Sequence, residues 1–207
     1  TDMAAAWALG ENWFKVPQTI KIVYKGKPPE MVGGKDIILH TIGMLGVEGA
    51  LYCALEFTGQ VIEQLPLSDR FTICNMAIEA GAKGGIIKAD EEVFTYLKGR
   101  TSRNHTAYKS DPDARYKDVI EINVSNLEPQ IAFPYLPSNV KPITQVESIK
   151  VDQVVIGSCT NGRIEDFRAA AAMLKGKQVA PYVRLITIPT TQEIYLQMIR
   201  EGLIETF

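Results

Sequence analysis

A cysteine set in a strand-to-helix turn can act as a nucleophile, a metal ligand or a packing thiol, and Cys159 reads as such a residue. The run Val154-Val155-Ile156 resembles the end of a buried strand, because β-branched apolar residues favour a packed, pleated surface. Gly157 then lets the chain turn. Ser158, Thr160 and Asn161 are short polar residues of the kind that begin helices. Ile164, Phe167 and Ala171 follow at helical spacing. Cys159 is thereby predicted at the carboxyl end of a strand, where open α/β sheets usually bind ligands. Free N–H groups and the positive end of a helix would favour its thiolate. A nucleophile also needs a base, and the two histidines, His40 and His105, lie in no comparable turn. On these residues alone a packing thiol, a metal ligand and a nucleophile without an evident base all stay open.

A carboxylate supplies the second candidate. The spacing predicts a helix from Ser68, a good N-cap, to Gly81, a good stop. Leu67, Phe71, Cys74 and Ile78 form one apolar stripe, and Ile73, Met76, Ala77 and Ala80 make much of the rest apolar. Ser68, Thr72, Asn75 and Glu79 form a narrow polar stripe whose only charge after Arg70 is Glu79. A helix apolar nearly all round is largely buried, and its polar stripe then needs partners or a wet cleft. A carboxylate in such a cleft is a candidate general acid or base. The alternative is a solvated edge.

The wording of both stretches resembles the aconitase superfamily. Gly157-Ser158-Cys159-Thr160-Asn161-Gly162-Arg163 is similar to its iron–sulfur signature, and the continuation Ile164-Glu165-Asp166 looks more like the large subunits of 3-isopropylmalate dehydratases than like aconitases. The resemblance implies that Cys159 is one of three ligands of a four-iron four-sulfur (4Fe-4S) cluster. The other two would form a Cys-x-x-Cys pair that these residues do not contain. Ser158, Thr160 and Asn161 would surround the ligand. Thr72 to Glu79 resembles the family helix whose asparagine and glutamate face cluster and substrate, which implies that role for Asn75 and Glu79; Cys74 is not a ligand in the family. Two supporting stretches resemble the exit from a first domain (Thr1 to Pro17) and a crossing between later domains (Ile122 to Ile131).

The activity so implied is isomerisation of 2-isopropylmalate to 3-isopropylmalate, by removal and re-addition of water, in leucine biosynthesis. An iron without a protein ligand acts there as Lewis acid on the leaving hydroxyl. A separate small subunit would carry a swivelling domain and the base serine. The chain reads as an internal fragment, inactive alone. Homoaconitase or a related hydro-lyase is the alternative within the superfamily. A cluster-free RNA-binding relative is a second alternative, against which the lack of a basic face argues. A thiol hydrolase using Cys159 is a third, and it lacks a histidine partner.

These residues need elements to position them. The chain has 207 residues, 46% hydrophobic and 22% charged, enough for one substantial core or two small ones. A net charge of −2 argues against a nucleic-acid or membrane surface as the main partner. No apolar run approaches a membrane span and no signal peptide opens the chain. Cys53, Cys74 and Cys159 are scattered and form no disulfide framework, so a cytoplasmic setting is expected. Thr1, with no initiator methionine, reads as a cut end.

A helix is expected over 1–14, ended by Pro17. Strand 19–24 alternates Ile20, Ile22 and Tyr24, and Gly33-Gly34 precedes a helix over 35–45 with Ile38, Ile42 and Leu45 inward. His40 on that helix has no second ligand-type residue one turn away and reads as structural. A buried strand over 50–57 holds Cys53. After the Ser68–Gly81 helix come a short strand over 86–88, a helix over 90–97, a polar surface loop to about 117 and a strand over 116–124. Pro129, Pro134, Pro137 and Pro142 exclude a helix and suggest an extended linker. Strand 151–156, a helix to 174, strand 183–188 and helix 191–200 begin a parallel layer. The expectation is an α/β, aconitase-like fold of two units with largely parallel strands, the second domain complete and the third truncated. Residues 1–14 would end a preceding domain, 15–128 form the α/β domain, 129–148 the linker and 149–207 the start of the third domain.

Overall fold

The computed structural model describes residues 2–207, so Thr1, read above as a cut end, lies outside it. At its centre is strand β1 (Gln18–Lys25), flanked by β2 (Cys53–Thr58) and β4 (Asp118–Asn123), with β3 (Gly84–Ile86) beyond β2. All three pairings are parallel, and Ile22 stands opposite Phe57 on one side and Ile120 on the other. Parallel sheets are covered by helices, and their strands are accordingly apolar. Ile20, Ile22 and Tyr24 are buried as the alternation required. Helix α2 (Gly34–Leu45) directs Ile37, Ile38 and Ile42 into the same core, and α4 (Leu67–Asn75) adds Ile73. Between β2 and α4 lies the short α3 (Gln60–Gln64). The Tyr24 hydroxyl lies 2.7 Å from Thr41 Oγ1, which keeps both polar groups satisfied inside.

A second, smaller layer pairs β7 (Gln153–Gly157) in parallel with β8 (Arg184–Ile188). Helix α6 (Ile164–Leu174) and helices α7 (Gln192–Arg200) and α8 (Leu203–Thr206) pack with it around Phe167 and Met198. The expected α/β class with mainly parallel strands is observed. Among the described residues no helix is long and apolar enough to cross a membrane.

Four local expectations change. Helix α1 (Asp2–Leu9) stops at Gly10, whose N–H closes on the Ala6 carbonyl at 2.9 Å, and it does not reach Phe14. It buries no residue, and Trp13 and Phe14 beyond it are each 84% exposed. The Ser68–Gly81 helix is α-helical only to Asn75 and tightens into a 3₁₀ turn over Met76–Ala80. Its N-cap is Pro66 rather than Ser68, and Ile78 is 63% exposed because the tighter turn rotates it off the apolar stripe. Strand β3 begins two residues early, paired with Ala54–Glu56, and helix α5 (Glu91–Leu97) follows with Asp90 as its cap. The proline-rich stretch holds an antiparallel hairpin, β5 (Gln130–Ala132) with β6 (Val140–Pro142). The Gln130 N–H donates to Asp36 Oδ1 at 2.7 Å, so the hairpin is tied to the start of α2. Pro142 occupies the edge of a two-stranded ribbon, where a missing donor is tolerated.

The start of α2 touches α4 through a glycine. A Cβ on Gly34 would lie 2.6 Å from the Asp69 carbonyl oxygen, whereas one on Gly33 would come no closer than 3.5 Å to that residue. Gly34→Ala should lower stability in urea unfolding by about 1–3 kcal/mol, and Gly33→Ala by much less. Equal stability of the two variants would mean the helices do not meet this closely.

Candidate active site at the seam between the two layers

The end of β7 is shaped by backbone demands. Gly157 adopts φ +115°, and a Cβ there would meet the Ile188 carbonyl oxygen at 2.1 Å. Ser158 also has positive φ, +76°, an uncommon conformation for a residue other than glycine. The bonds that hold it there are the Ser158 N–H to the Ile188 carbonyl at 2.8 Å and the Thr190 hydroxyl to the Ser158 carbonyl at 2.9 Å. The turn is therefore stitched to the end of β8, and Cys159 stands exposed on it. The nearest hydrogen-bonding group to its sulfur is Thr160 Oγ1 at 3.7 Å.

Helix α6 begins later than expected. Its N-cap is Arg163, whose N–H donates to Asp166 Oδ2 at 3.0 Å. The first helical residue is Ile164, so Cys159 precedes the helix by more than one turn and does not sit on its free N–H groups.

The cysteine turn lies on α4. Thr72 is buried, and its hydroxyl reaches the Thr160 carbonyl at 3.1 Å. The Thr160 hydroxyl donates to Asn75 Oδ1 at 2.7 Å. Asn161 Nδ2 donates to Asp166 Oδ1 at 3.0 Å and approaches Thr72 Oγ1 at 3.5 Å. The guanidinium of Arg163 stacks 4.5 Å from the centre of the Phe71 ring. Asn75, Ser158, Cys159, Thr160 and Asn161 are thus brought together. Glu79 lies on the 3₁₀ turn that continues α4, exposed and with no hydrogen bond or ion pair among the described residues.

Three groups at this seam were not picked out from the sequence. Lys35, in the first turn of α2, is exposed overall, yet the atoms packed around its ammonium pull its pKa below the ordinary lysine value. The charges of Glu79, Asp166, Cys159 and Asp36 pull it back up, so Lys35 shares one electrostatic neighbourhood with the candidate residues. Burial raises the pKa of Asp69; the Gly34 N–H opposes that, and Asp166 and Asp36 push further up. The sequence did carry one signal, since a lysine in the first turn of a helix opposes the macrodipole and calls for another reason to be there. Asp69 and Asp166 look like ordinary first-turn acids and carry no such mark.

The donor set decides what metal chemistry these residues suit. Cys159 offers one open thiol, which fits one corner of a cluster. Among the described residues no group of three His, Cys, Asp or Glu could hold a metal ion. Burial pushes the Cys74 thiol up to about 11, so it stays protonated at neutral pH. Cys53 is buried, with Lys117 Nζ 3.4 Å from its sulfur. His40 has its pKa lowered by burial, and the ring of His105 stacks on Phe94. Neither histidine belongs to the seam.

The profile of the aconitase family (aconitate hydratase) matches residues 1–149 and 140–207. The chain is 57% identical over its 207 residues to the 3-isopropylmalate dehydratase large subunit of Moorella thermoacetica, covering 49% of that protein. It is 59% identical over the same length to the proteins of that name from Syntrophus aciditrophicus and Halothermothrix orenii, again covering 49% of each. The chain spans about half the length of the curated relatives it matches.

Asp69 allows a test of the acidic cluster. Its folded-state pKa is raised, so the folded state holds the proton more tightly than the unfolded chain does. The stability this contributes is present below the unfolded pKa of about 3.9 and is lost as pH rises through the folded value. Asp69→Asn keeps an acceptor and removes the charge. It should raise the melting temperature at pH 7, with the difference from wild type closing toward pH 4. A difference that opened toward acid pH would show that ionised Asp69 stabilises the fold.

Proposed function

The chain belongs to the aconitase family, and from that premise we propose that it is part of the large subunit of a 3-isopropylmalate dehydratase, interconverting 2- and 3-isopropylmalate by removal and re-addition of water. One observation carries the proposal. The Cys159 turn is laid on the helix that bears Asn75 and leads to Glu79, and the Thr160–Asn75 hydrogen bond of 2.7 Å joins them. The names of relatives sharing 56–59% identity along the whole chain support the choice of reaction.

In this reading Cys159 holds one corner of a 4Fe-4S cluster, and residues outside this chain supply the other two thiolates. The bound cluster supplies Lewis acidity toward the leaving hydroxyl. The residues of the seam do the rest. Asn75 accepts from Thr160 through Oδ1, which turns its amide nitrogen away from that bond and leaves it free to donate into the cleft. Glu79, which has no hydrogen-bond or ion-pair partner among the described residues, moves a proton at the substrate hydroxyl through a carboxylate oxygen. Lys35 offsets the negative charge gathered by Glu79, Asp166 and the Cys159 thiolate. Residues 15–128 and 149–207 act as two units that close on this seam. A small subunit with a swivelling domain completes the site, and the assembly works in the cytoplasm.

The test uses the full-length large subunit with its small subunit, reconstituted anaerobically with iron and sulfide. Cys159→Ser should abolish both the broad visible absorption and the activity. Glu79→Gln should keep the absorption and lower kcat on the order of 10²-fold or more. Full activity in either variant removes that residue from the mechanism. Turnover of homocitrate without turnover of isopropylmalate would replace the substrate and keep the hydro-lyase.

A further inference from the structure

Arg163 ends the cysteine turn and has no task in the reaction just described. Its guanidinium lies over Phe71 at 4.5 Å from the ring centre, and Phe71 meets Tyr96 edge-on at 5.6 Å. Among the described residues Arg163 makes no ion pair, and its Nε is enclosed without a hydrogen-bond partner. The ring therefore sets the orientation of the guanidinium, since no acceptor holds that nitrogen.

The contacts across the seam run in order. Arg163 meets Phe71, Asn161 and Thr160 meet Thr72, and Thr160 meets Asn75. Arginine grips the amino-terminal end of this ladder and Cys159 lies at the other end, so Arg163 is spaced roughly one helical turn along α4 from the Thr160–Asn75 bond. An arginine suits the place because a planar, weakly hydrated guanidinium stacks on an aromatic face where an ammonium stays hydrated.

We propose that Arg163 is a positioning residue: stacked on Phe71, it clamps the Cys159 turn onto α4 and governs how long the cluster is retained, without touching substrate. The proposal rests on the reading of Cys159 as a cluster ligand. Its structural core, a clamp that holds residues 158–162 in place, does not.

Two measurements separate these layers. In the reconstituted full-length heterodimer, Arg163→Met should speed the loss of visible absorption in the presence of EDTA by on the order of 5–30-fold, as expected for the loss of one cation–π contact. The KM for 2-isopropylmalate should stay within about twofold, and Arg163→Lys should fall between the two proteins. Phe71→Leu should match Arg163→Met, and the double variant should be no worse than either, because one contact is being removed. In the metal-free protein, Arg163→Met should speed amide hydrogen exchange over residues 158–162 while leaving β1 and β2 unchanged. A large rise in KM with an unchanged cluster lifetime would overturn the proposal and make Arg163 a substrate-binding residue. Unchanged lifetime and unchanged exchange would overturn it outright. A wild-type enzyme that takes up no cluster would end the functional reading, and hydrogen exchange alone would then decide for or against the clamp.

Discussion

A buried hydroxyl needs a partner, and the arrangement of this molecule turns on how Thr72 finds one. Its oxygen lies 3.2 Å from the carbonyl of Ser68, in its own helix, and 3.1 Å from the carbonyl of Thr160 in the other layer. One hydroxyl carries one proton, so the two carbonyls compete for it, and the oxygen's lone pairs remain open to Asn161 Nδ2. Within α4 alone the hydroxyl would be satisfied by Ser68. The competition is what lets a helix of the first layer receive a loop of the second without leaving a polar group stranded. Thr160 adds its own hydroxyl to Asn75, and the turn that carries Cys159 is held from both sides.

Charge is organised around the same seam. Gly34 lets the start of α2 approach Asp69, and that approach sets Lys35 among Asp36, Asp166, Cys159 and Glu79. Asp36 is already engaged, accepting from Gly33 N–H at 2.9 Å and from Gln130 N–H at 2.7 Å. It therefore joins the helix start and the hairpin as well as contributing to the field. Asp166 likewise serves the Arg163 N–H and the Asn161 amide. Glu79 differs from both in making no hydrogen bond or ion pair among the described residues, which is what suits it to the proton transfer proposed for it. Carboxylates fixed by N–H donors hold their shape, and a free one can exchange a proton.

Much of this was legible in the sequence where a local rule and the tertiary environment agree. The alternation of Ile20, Ile22 and Tyr24 predicted β1, because only a strand puts all three on one face. The helix expected over 191–200 is observed as α7, and Thr191 caps it, its hydroxyl accepting from the Ile194 N–H at 3.2 Å. The turn around Cys159 and the stripe of Thr72 and Asn75 were visible as polar residues in apolar surroundings. The features that the sequence does not display depend on partners far away in the chain. Arg70 looks like a surface residue, yet it is buried, bonded to the Leu65 and Glu63 carbonyls and paired with Asp90 and Glu92. The 3₁₀ turn at Met76–Ala80 moved Ile78 outward, a change in helical pitch that spacing rules do not foresee. The prolines near 129–142 exclude a helix and suggest an extended linker, while they occupy the margins of a short hairpin whose donors come from other residues.

The parallel ladders of the larger sheet carry a consequence for the order of events during folding. In β1, Ile20 is paired with Leu55 and with Asp118, so its two neighbours arrive from widely separated parts of the chain. Closing such loops demands entropy before any contact returns it, which makes parallel pairing slow relative to local helix formation. The Thr72–Thr160 bond spans a separation of 88 residues and needs both layers in place before it can form. The cysteine turn is thus completed late, after the sheet and α4 have set. Any cofactor inserted there meets a surface that exists only once the rest of the chain has reached its final arrangement, and a nascent chain would present Cys159 without Asn75 beside it.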